Sequence, residues 1–267
     1  MEDLQKIALN IRKNILKMIY TASSGHPGGA LSCVEILTAL YFSEMNVDIK
    51  NPHEKNRDRL ILSKGHASAA LYATLAEKGF FNKEELIGFR NINSNLQGHP
   101  DMKKIPGVDM STGSLGQGLS VANGMALAGK LDEKDYRVYC IIGDGELEEG
   151  QIWEAAMTSC HYKLDNLCVI IDNNNLQIDG KITDVMNVTP IDEKFKSFGF
   201  NVINSKGNDI DEIITAFNKA RYAKGRPTVI VAKTVKGKGI SFMENQVAWH
   251  GKAPNEDEYN RAILELQ

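Results

Sequence analysis

Two apolar runs in the middle of the chain each end in polar residues that could bind a cation. Val138 to Ile142 is followed by Gly143-Asp144-Gly145, and Leu167 to Ile171 is followed by Asp172-Asn173-Asn174-Asn175. The pattern is typical of two buried parallel strands joined by a helix. Because both strands would end on the same edge of the sheet, we expect Asp144 and Asn174 to lie close together in space.

A carboxylate and an amide oxygen at one sheet edge suit a hard cation such as Mg2+. Since Mg2+ keeps few protein ligands and prefers phosphate oxygens, the expected guest is a phosphorylated cofactor and not a bare ion. Either motif alone is more commonly a structural feature, because Gly-Asp-Gly forms turns and Asn residues cap loops. Their occurrence at matching strand ends favours a binding site.

The elements that must position these residues alternate between strands and helices. A helix is predicted over residues 2 to 20, and further helices over Leu31 to Phe42, Ala67 to Lys78, Asn82 to Arg90, Gly118 to Gly129, Asp209 to Ala223 and from Asn255 onward. Besides the two central runs, strands are predicted at Arg59 to Ser63, Gly199 to Asn204 and Thr228 to Ala232. This alternation predicts an α/β fold, a mostly parallel sheet sandwiched by helices.

Composition excludes several classes of partner. The sequence is 42% apolar and 24% charged, which is ordinary for a soluble globular protein. Its formal charge of −3 gives no sign of a surface that binds nucleic acid or an anionic membrane. No apolar run approaches the length of a membrane span, and the first residues lack the pattern of a signal peptide, so a cytoplasmic location is expected. The four cysteines show no Cys-x-x-Cys spacing, which argues against a zinc site or a redox pair.

The paired motifs also carry a resemblance. Gly143-Asp144-Gly145 followed by Asn173-Asn174 resembles the signature of thiamine diphosphate enzymes, in which Asp and Asn hold Mg2+ and the metal holds the diphosphate. Four further stretches narrow the resemblance to transketolase, in order and at similar spacing: Ser24-Gly25-His26-Pro27-Gly28, Ser63-Lys64-Gly65-His66, Gly98-His99-Pro100 and Gly113-Ser114-Leu115-Gly116-Gln117-Gly118. The resemblance spans nearly the whole chain. It implies a single diphosphate-binding (PP) domain over residues 1–267, with the pyrimidine-binding and carboxyl-terminal domains of a full transketolase absent.

The resemblance implies roles for individual residues. Mg2+ would be bound by Asp144, Asn174 and the backbone carbonyl of Leu176. Thiamine diphosphate would be contacted by His66, Gly113, Ser114, Leu115, Gly143, Asp144, Gly145, Glu149, Asn174 and His250. The histidines matching catalytic positions are His26, His66, His99 and His250. Glu146 and Glu148, by contrast, are accounted for by the favourable position of negative charge at a helix N-terminus.

In the family, the glutamate that activates the aminopyrimidine ring comes from a following pyrimidine-binding domain. No residues follow Gln267 to supply it. The resemblance therefore implies the amino-terminal subunit of a split transketolase, which transfers a two-carbon ketol unit from a ketose phosphate to an aldose phosphate. A separate carboxyl-terminal subunit would complete the site, in an assembly with at least two copies of this chain, expected to be a heterotetramer.

Two alternatives stay open. Lys236-Gly237-Lys238-Gly239 is similar to a segment of deoxyxylulose-phosphate synthase, a related thiamine enzyme that uses pyruvate. The second alternative is a non-catalytic subunit that binds the cofactor without turnover. The intact set of Asp144, Asn174 and histidines argues against that second possibility.

Overall fold

Five parallel strands form the centre of the protein. The computed structural model describes residues 2–267, with strands β1 Arg59–Leu62, β2 Val138–Gly143, β3 Leu167–Asn173, β4 Asn201–Lys206 and β5 Thr228–Lys233. Their order across the sheet is β1-β2-β3-β5-β4, and every neighbouring pair is parallel. The prediction of a mostly parallel α/β sheet is confirmed.

Helices cover both faces of this sheet. They are α1 Glu2–Ala22, α2 Pro27–Ser32, α3 Val34–Ala39, α4 Ser68–Lys78, α5 Gly118–Leu131, α6 Gly150–His161, α7 Ile182–Val185, α8 Ile191–Phe198, α9 Ile210–Arg221 and α10 Glu256–Glu265. Successive strand residues point to opposite faces, so β2 places Tyr139 and Ile141 in one core and Cys140 and Ile142 in the other. The first core is completed by α1, α3, α4 and α9, and the second by α5, α6 and α8.

Several predicted elements have different bounds in the structure. The single helix predicted over Leu31 to Phe42 is interrupted at Cys33, where the backbone leaves helical geometry with φ −105° and ψ 15°, and it ends in a π-helical turn at Leu40–Glu44. The strand predicted from Gly199 begins at Asn201, because Gly199 adopts a left-handed φ of 106° and terminates α8.

The helix predicted over Asn82 to Arg90 is a shorter 3-10 helix, Lys83–Gly88, and the backbone amide of Asn82 before it donates to the Glu85 carboxylate. Asn255 caps α10 through a capping box with Glu258. Cys140 and Cys168 are buried inside their strands as free thiols. None of the helices within residues 2–267 has the length and apolar character needed to cross a membrane.

Candidate functional site

A cleft of about 240 Å³ lies at the carboxyl ends of the strands. Segments that follow β1, β2, β3 and β5 supply most of its walls, which is where open parallel sheets place ligand sites. The residues that line it are His26, Gly29, Lys64, His66, Gly113, Leu115, Gly143, Asp144, Gly145, Glu146, Asn174, Leu176, Gln177, Ile178, Lys236 and His250.

The predicted proximity of the two central motifs is present in the structure. Asp144 is 2% exposed and follows β2; its Oδ1 accepts a hydrogen bond from the Gly145 amide at 2.9 Å, and its Oδ2 accepts one from the Asn175 amide beyond β3. Asn174 Oδ1 in turn accepts from the Leu176 amide at 3.1 Å. The ends of β2 and β3 are therefore tied together around one buried carboxylate.

The oxygen donors at this edge fit a magnesium ion. Burial, followed by the nearby charge of Asp172, raises the pKa of Asp144 to about 7, although two backbone amides and the charge of Lys236 act in the opposite direction. Within residues 2–267, no group of three or more His, Cys, Asp or Glu side chains is placed to hold a metal. One carboxylate with amide and carbonyl oxygens matches instead the sparse protein coordination of Mg2+, which takes its other ligands from phosphate and water.

A buried ion pair lies beneath these donors. Lys64 and Asp172 contact each other with side-chain exposures of 2% and 0%, and Asp172 also accepts hydrogen bonds from Ser32 and Thr234. Asn174 Nδ2 donates to Asp172 at 3.4 Å, which turns the amide oxygen of Asn174 away from the pair. Burial acts to raise the pKa of Asp172, but the Lys64 ammonium outweighs it and holds that pKa below the ordinary value.

A second lysine enters the cleft after β5. Lys236 is 2% exposed, and its Nζ donates to the Leu176 carbonyl at 3.0 Å and lies 2.9 Å from His250 Nδ1. Burial lowers the pKa of Lys236 to about 8. Because the charge of Lys64 is offset by Asp172, Lys236 is the cation in the lining whose charge is most available to an anionic ligand.

Three histidines meet beside Lys236. The ring centroids of His26, His66 and His250 lie 5.2 to 5.5 Å apart. Burial is the largest cause of lowered pKa values in all three, with neighbouring positive charge adding to it; the pKa falls to about 4 for His26, to about 3 for His250 and well below the ordinary value for His66. All three imidazoles are therefore neutral at pH 7. The buried Nδ1 atom of His26 has no hydrogen-bond partner among the described residues.

The glycine loop over residues 113–118 closes one wall of the cleft. Gly113 and Leu115 line the cleft. Gly113 has a φ of +150°, and a Cβ added to it would lie 3.0 Å from ring atoms of His99. A larger residue at 113 would be strained and would press on His99.

Most of the site residues predicted from the sequence line the cleft, and three lie at the margin of the cleft. The lining includes His26, His66, Gly113, Leu115, Gly143, Asp144, Gly145, Asn174, Leu176 and His250. Ser114 is exposed on the outer side of the loop, and His99 is exposed beside Gly113. Glu149 is also exposed, and its Cβ packs behind the loop against Gly116 and not into the cleft.

Sequence reasoning missed Lys64, Lys236 and Glu146 as residues of the cleft. Lys64 follows a buried strand within Ser63-Lys64-Gly65-His66, and this position was a usable signal. The helix N-terminal charge that accounted for Glu146 is an incomplete explanation, because the side chain is 3% exposed and accepts three hydrogen bonds. Glu148, two residues later, is exposed.

Comparisons with known proteins agree with this geometry. Residues 4–265 match the family model described as "Transketolase, thiamine diphosphate binding domain". The chain is 44% identical to an apulose-4-phosphate transketolase subunit of Phocaeicola vulgatus over 96% of this chain and 90% of that protein, and 46% identical to 6-deoxy-6-sulfo-D-fructose transketolase subunit SqwG of a Clostridium species over 99% and 96%.

Longer proteins match as well. Human transketolase is 40% identical over all of this chain and 42% of its own length. The crystal structure of transketolase from Campylobacter jejuni superposes with a TM-score of 0.93 at 34% identity, covering 100% of this chain and 43% of that one. The chain thus spans about two fifths of these longer transketolases.

Proposed function

The chain belongs to the transketolase family, as its thiamine diphosphate binding part, and from this premise we propose that it is the amino-terminal subunit of a two-chain transketolase. The observation that carries the proposal is the cleft in which Asp144, the Asn174 and Leu176 segment and Lys236 converge. Relatives named as transketolase subunits match over nearly their whole length, which supports a division of the enzyme between chains. Residues 1–267 would then form one diphosphate-binding domain.

Asp144, Asn174 and the Leu176 carbonyl would hold Mg2+, and Lys236, which donates to that carbonyl in this structure, would turn to face the diphosphate together with His66 and His250. Thiamine diphosphate, when bound, supplies a nucleophilic carbon and an electron sink for cleavage of a carbon–carbon bond. The oxygen-rich edge and the adjacent buried ammonium give a place for a cation beside a place for an anion. This arrangement is what a magnesium diphosphate requires.

The neutral histidines are suited to the substrate's oxygens. A neutral imidazole presents one N–H donor and one acceptor nitrogen, so it can both donate to a carbonyl or alkoxide oxygen and accept from a hydroxyl. We assign this role to His26, His66 and His250, and to His99 at the mouth of the cleft. Backbone at Gly113 and Leu115 would contact the cofactor's rings.

The proposed reaction is transfer of a two-carbon ketol unit from a ketose phosphate to an aldose phosphate. The names of the two relatives include a sugar phosphate and a sulfo sugar, so we propose a donor sugar that carries a terminal anionic group. A carboxyl-terminal subunit would supply the pyrimidine-binding domain, in a cytoplasmic assembly with at least two copies of each chain. Ser114 and Glu149, on the outer side of the loop, would face neighbouring chains.

The test is a coupled assay of ketol transfer from xylulose 5-phosphate to ribose 5-phosphate with Mg2+ and thiamine diphosphate. The chain is assayed alone and mixed with a candidate carboxyl-terminal subunit, then with sulfofructose and other anionic ketoses as donors. Turnover only in the mixture supports the two-chain transketolase. Turnover by this chain alone contradicts it.

Two further outcomes decide between the alternatives. Release of CO2 from pyruvate with glyceraldehyde 3-phosphate as acceptor, without ketol transfer, would favour the deoxyxylulose-phosphate synthase reaction. Cofactor binding without turnover for any donor and partner would favour the non-catalytic subunit.

A further inference from the structure

One buried carboxylate joins three segments that wall the cleft. Glu146 Oε1 accepts hydrogen bonds from the Gly116 amide at 2.9 Å and from the Ser63 hydroxyl, and Oε2 accepts one from the Gly143 amide at 3.1 Å. Ser63 follows β1, Gly143 ends β2, and Gly116 lies in the 113–118 loop. The side chain is 3% exposed, so water does not compete for these donors.

Only an acceptor can satisfy this arrangement. Each carboxylate oxygen of Glu146 faces a backbone N–H, a group that can only donate, and an ionised carboxylate offers acceptor sites on both oxygens. An amide of the same shape would present its NH2 to at least one of these donors. The geometry therefore requires a carboxylate, a requirement that negative charge at a helix N-terminus would not impose.

The contacts of Glu146 connect the two functional halves of the cleft. Gly113 and Leu115, on the loop bonded through Gly116, belong to the side proposed to contact the cofactor's rings. Gly143 and Asp144, on the other side of the carboxylate, belong to the side proposed to hold the magnesium diphosphate. One side chain therefore bridges the two halves.

The loop also packs closely against the end of β1 and the residues that follow it. A Cβ on Gly65 would lie 2.8 Å from the Gly113 amide nitrogen, and one on Gly118 would overlap the Ser63 side chain. These contacts add dispersion attraction but no directional bond, so the hydrogen bonds to Glu146 define the position of the loop more sharply.

We propose that Glu146 is a positioning residue that fixes the 113–118 loop against the Gly143–Asp144 turn and so sets the height of the ring-binding wall above the diphosphate site. This inference rests on the proposed function for the identity of the ligand. The position of the loop itself is a property of the chain alone.

The test compares Glu146→Gln with the wild-type full chain, using Glu148→Gln as the matched control. Isothermal titration measures the Kd of thiamine diphosphate and of inorganic diphosphate, each with Mg2+. We expect Glu146→Gln to raise the Kd of thiamine diphosphate about tenfold, the cost of one lost hydrogen bond to a charged group. The Kd of inorganic diphosphate should stay the same or fall, because a negative charge near an anion has been removed. Glu148→Gln should change neither.

An equal loss of affinity for both ligands would overturn the proposal, since it would indicate general damage to the fold. A gain for both would also overturn it, because Glu146 would then act only through its charge. Unchanged affinity for thiamine diphosphate would do the same.

A second measurement needs no cofactor. Amide hydrogen exchange at Gly116 should be about tenfold faster in Glu146→Gln than in the wild type and in Glu148→Gln, and equal rates would refute the positioning role. If the wild-type chain, mixed with its partner subunit, binds neither ligand, the proposed function fails, and hydrogen exchange still decides the role of Glu146.

Discussion

Replacing Asp172 with Asn should destabilise the protein strongly while keeping the shape of the side chain. Asp172 is fully buried and compensates Lys64, which is 2% exposed. In Asp172→Asn the ammonium keeps the Gly29 carbonyl, which accepts from Nζ at 2.8 Å, but it has no buried counter-charge in contact. Removal of one partner from a buried pair costs about 3–5 kcal/mol, and we expect a loss of this size in the free energy of unfolding measured with urea at pH 7.

The pH dependence identifies the cause. In the wild type the pKa of Asp172 is lowered, so its contribution is present above pH 4 and is lost as pH falls through the folded-state pKa. Burial lowers the pKa of Lys64, but the carboxylate of Asp172 outweighs burial and raises that pKa above its ordinary value. The contribution of Lys64 to stability is therefore lost only above the ordinary pH range of lysine titration. The pair's contribution is therefore constant between pH 5 and 9.

The mutant should behave differently. Without Asp172, burial lowers the pKa of Lys64, so the unfolded chain binds more protons than the folded chain, and stability rises with pH. The difference between wild type and mutant should shrink from pH 7 to pH 9.5. A difference that is independent of pH in this range would refute the reasoning, as would a loss below about 1 kcal/mol.

Two controls accompany this experiment. Lys64→Met with Asp172→Asn removes both charges and should cost less than Asp172→Asn alone, because no uncompensated ammonium remains. Glu212→Gln breaks the exposed pair with Lys206, 3.1 Å apart, and should leave stability essentially unchanged. A double variant as unstable as Asp172→Asn would show that the amide, and not the unpaired charge, is responsible.

Three further outcomes are expected. Asp144→Asn should weaken Mg2+-dependent thiamine diphosphate binding at least about tenfold, as measured by titration calorimetry. Loss of a residue that binds the metal directly costs more than loss of a residue that only contacts such a ligand. Unchanged binding would show that Asp144 is not part of the metal site. Lys236→Met should raise the Kd of inorganic diphosphate about tenfold, because a charged hydrogen-bond partner is lost. Lys238→Met, which breaks only the half-exposed ion pair with Glu244, should leave this Kd unchanged. Equal effects of the two variants would contradict the assignment of Lys236 to the diphosphate. Gly113→Ala should lower the free energy of unfolding by about 1–2 kcal/mol, because Gly113 has a positive φ and its Cβ would contact His99. Gly124→Ala, at an exposed helical position with open space, should raise it by about 0.5–1 kcal/mol. Urea titrations in which both variants shift the free energy in the same direction would argue against this account.

The fold was predictable because its signals are local. The runs that form β2 and β3 are continuous and apolar, bounded by polar residues, and the strand bounds follow within one or two positions. Hydrophobic periodicity likewise placed α1 and α9. The interruption at Cys33 was not predictable from these patterns, since its neighbours Ser32 and Val34 are both helical and neither a glycine nor a proline adjoins it.

The candidate site was predictable only in part, because its remaining contacts join distant positions. Lys64 and Asp172 are 108 residues apart, and each alone resembles a surface charge next to a strand. Glu146 and Glu148 occupy the same acidic stretch, yet one is buried under three donors and the other is exposed. Local composition cannot separate them, since the difference arises from where the 113–118 loop passes.

The charge state of the histidines depends on contacts of the same long-range kind. The sequence predicts that histidines converge, but a cluster of three could equally be a cationic site for phosphate. Burial, with neighbouring positive charge adding to it, lowers the pKa values of all three histidines well below neutrality, so these imidazoles are neutral at pH 7. In the proposed function, Lys236 and an Mg2+ ion bound at Asp144 would supply the positive charge for an anionic ligand. The neutral imidazoles beside them would be available to exchange protons with the oxygens of the proposed sugar substrate.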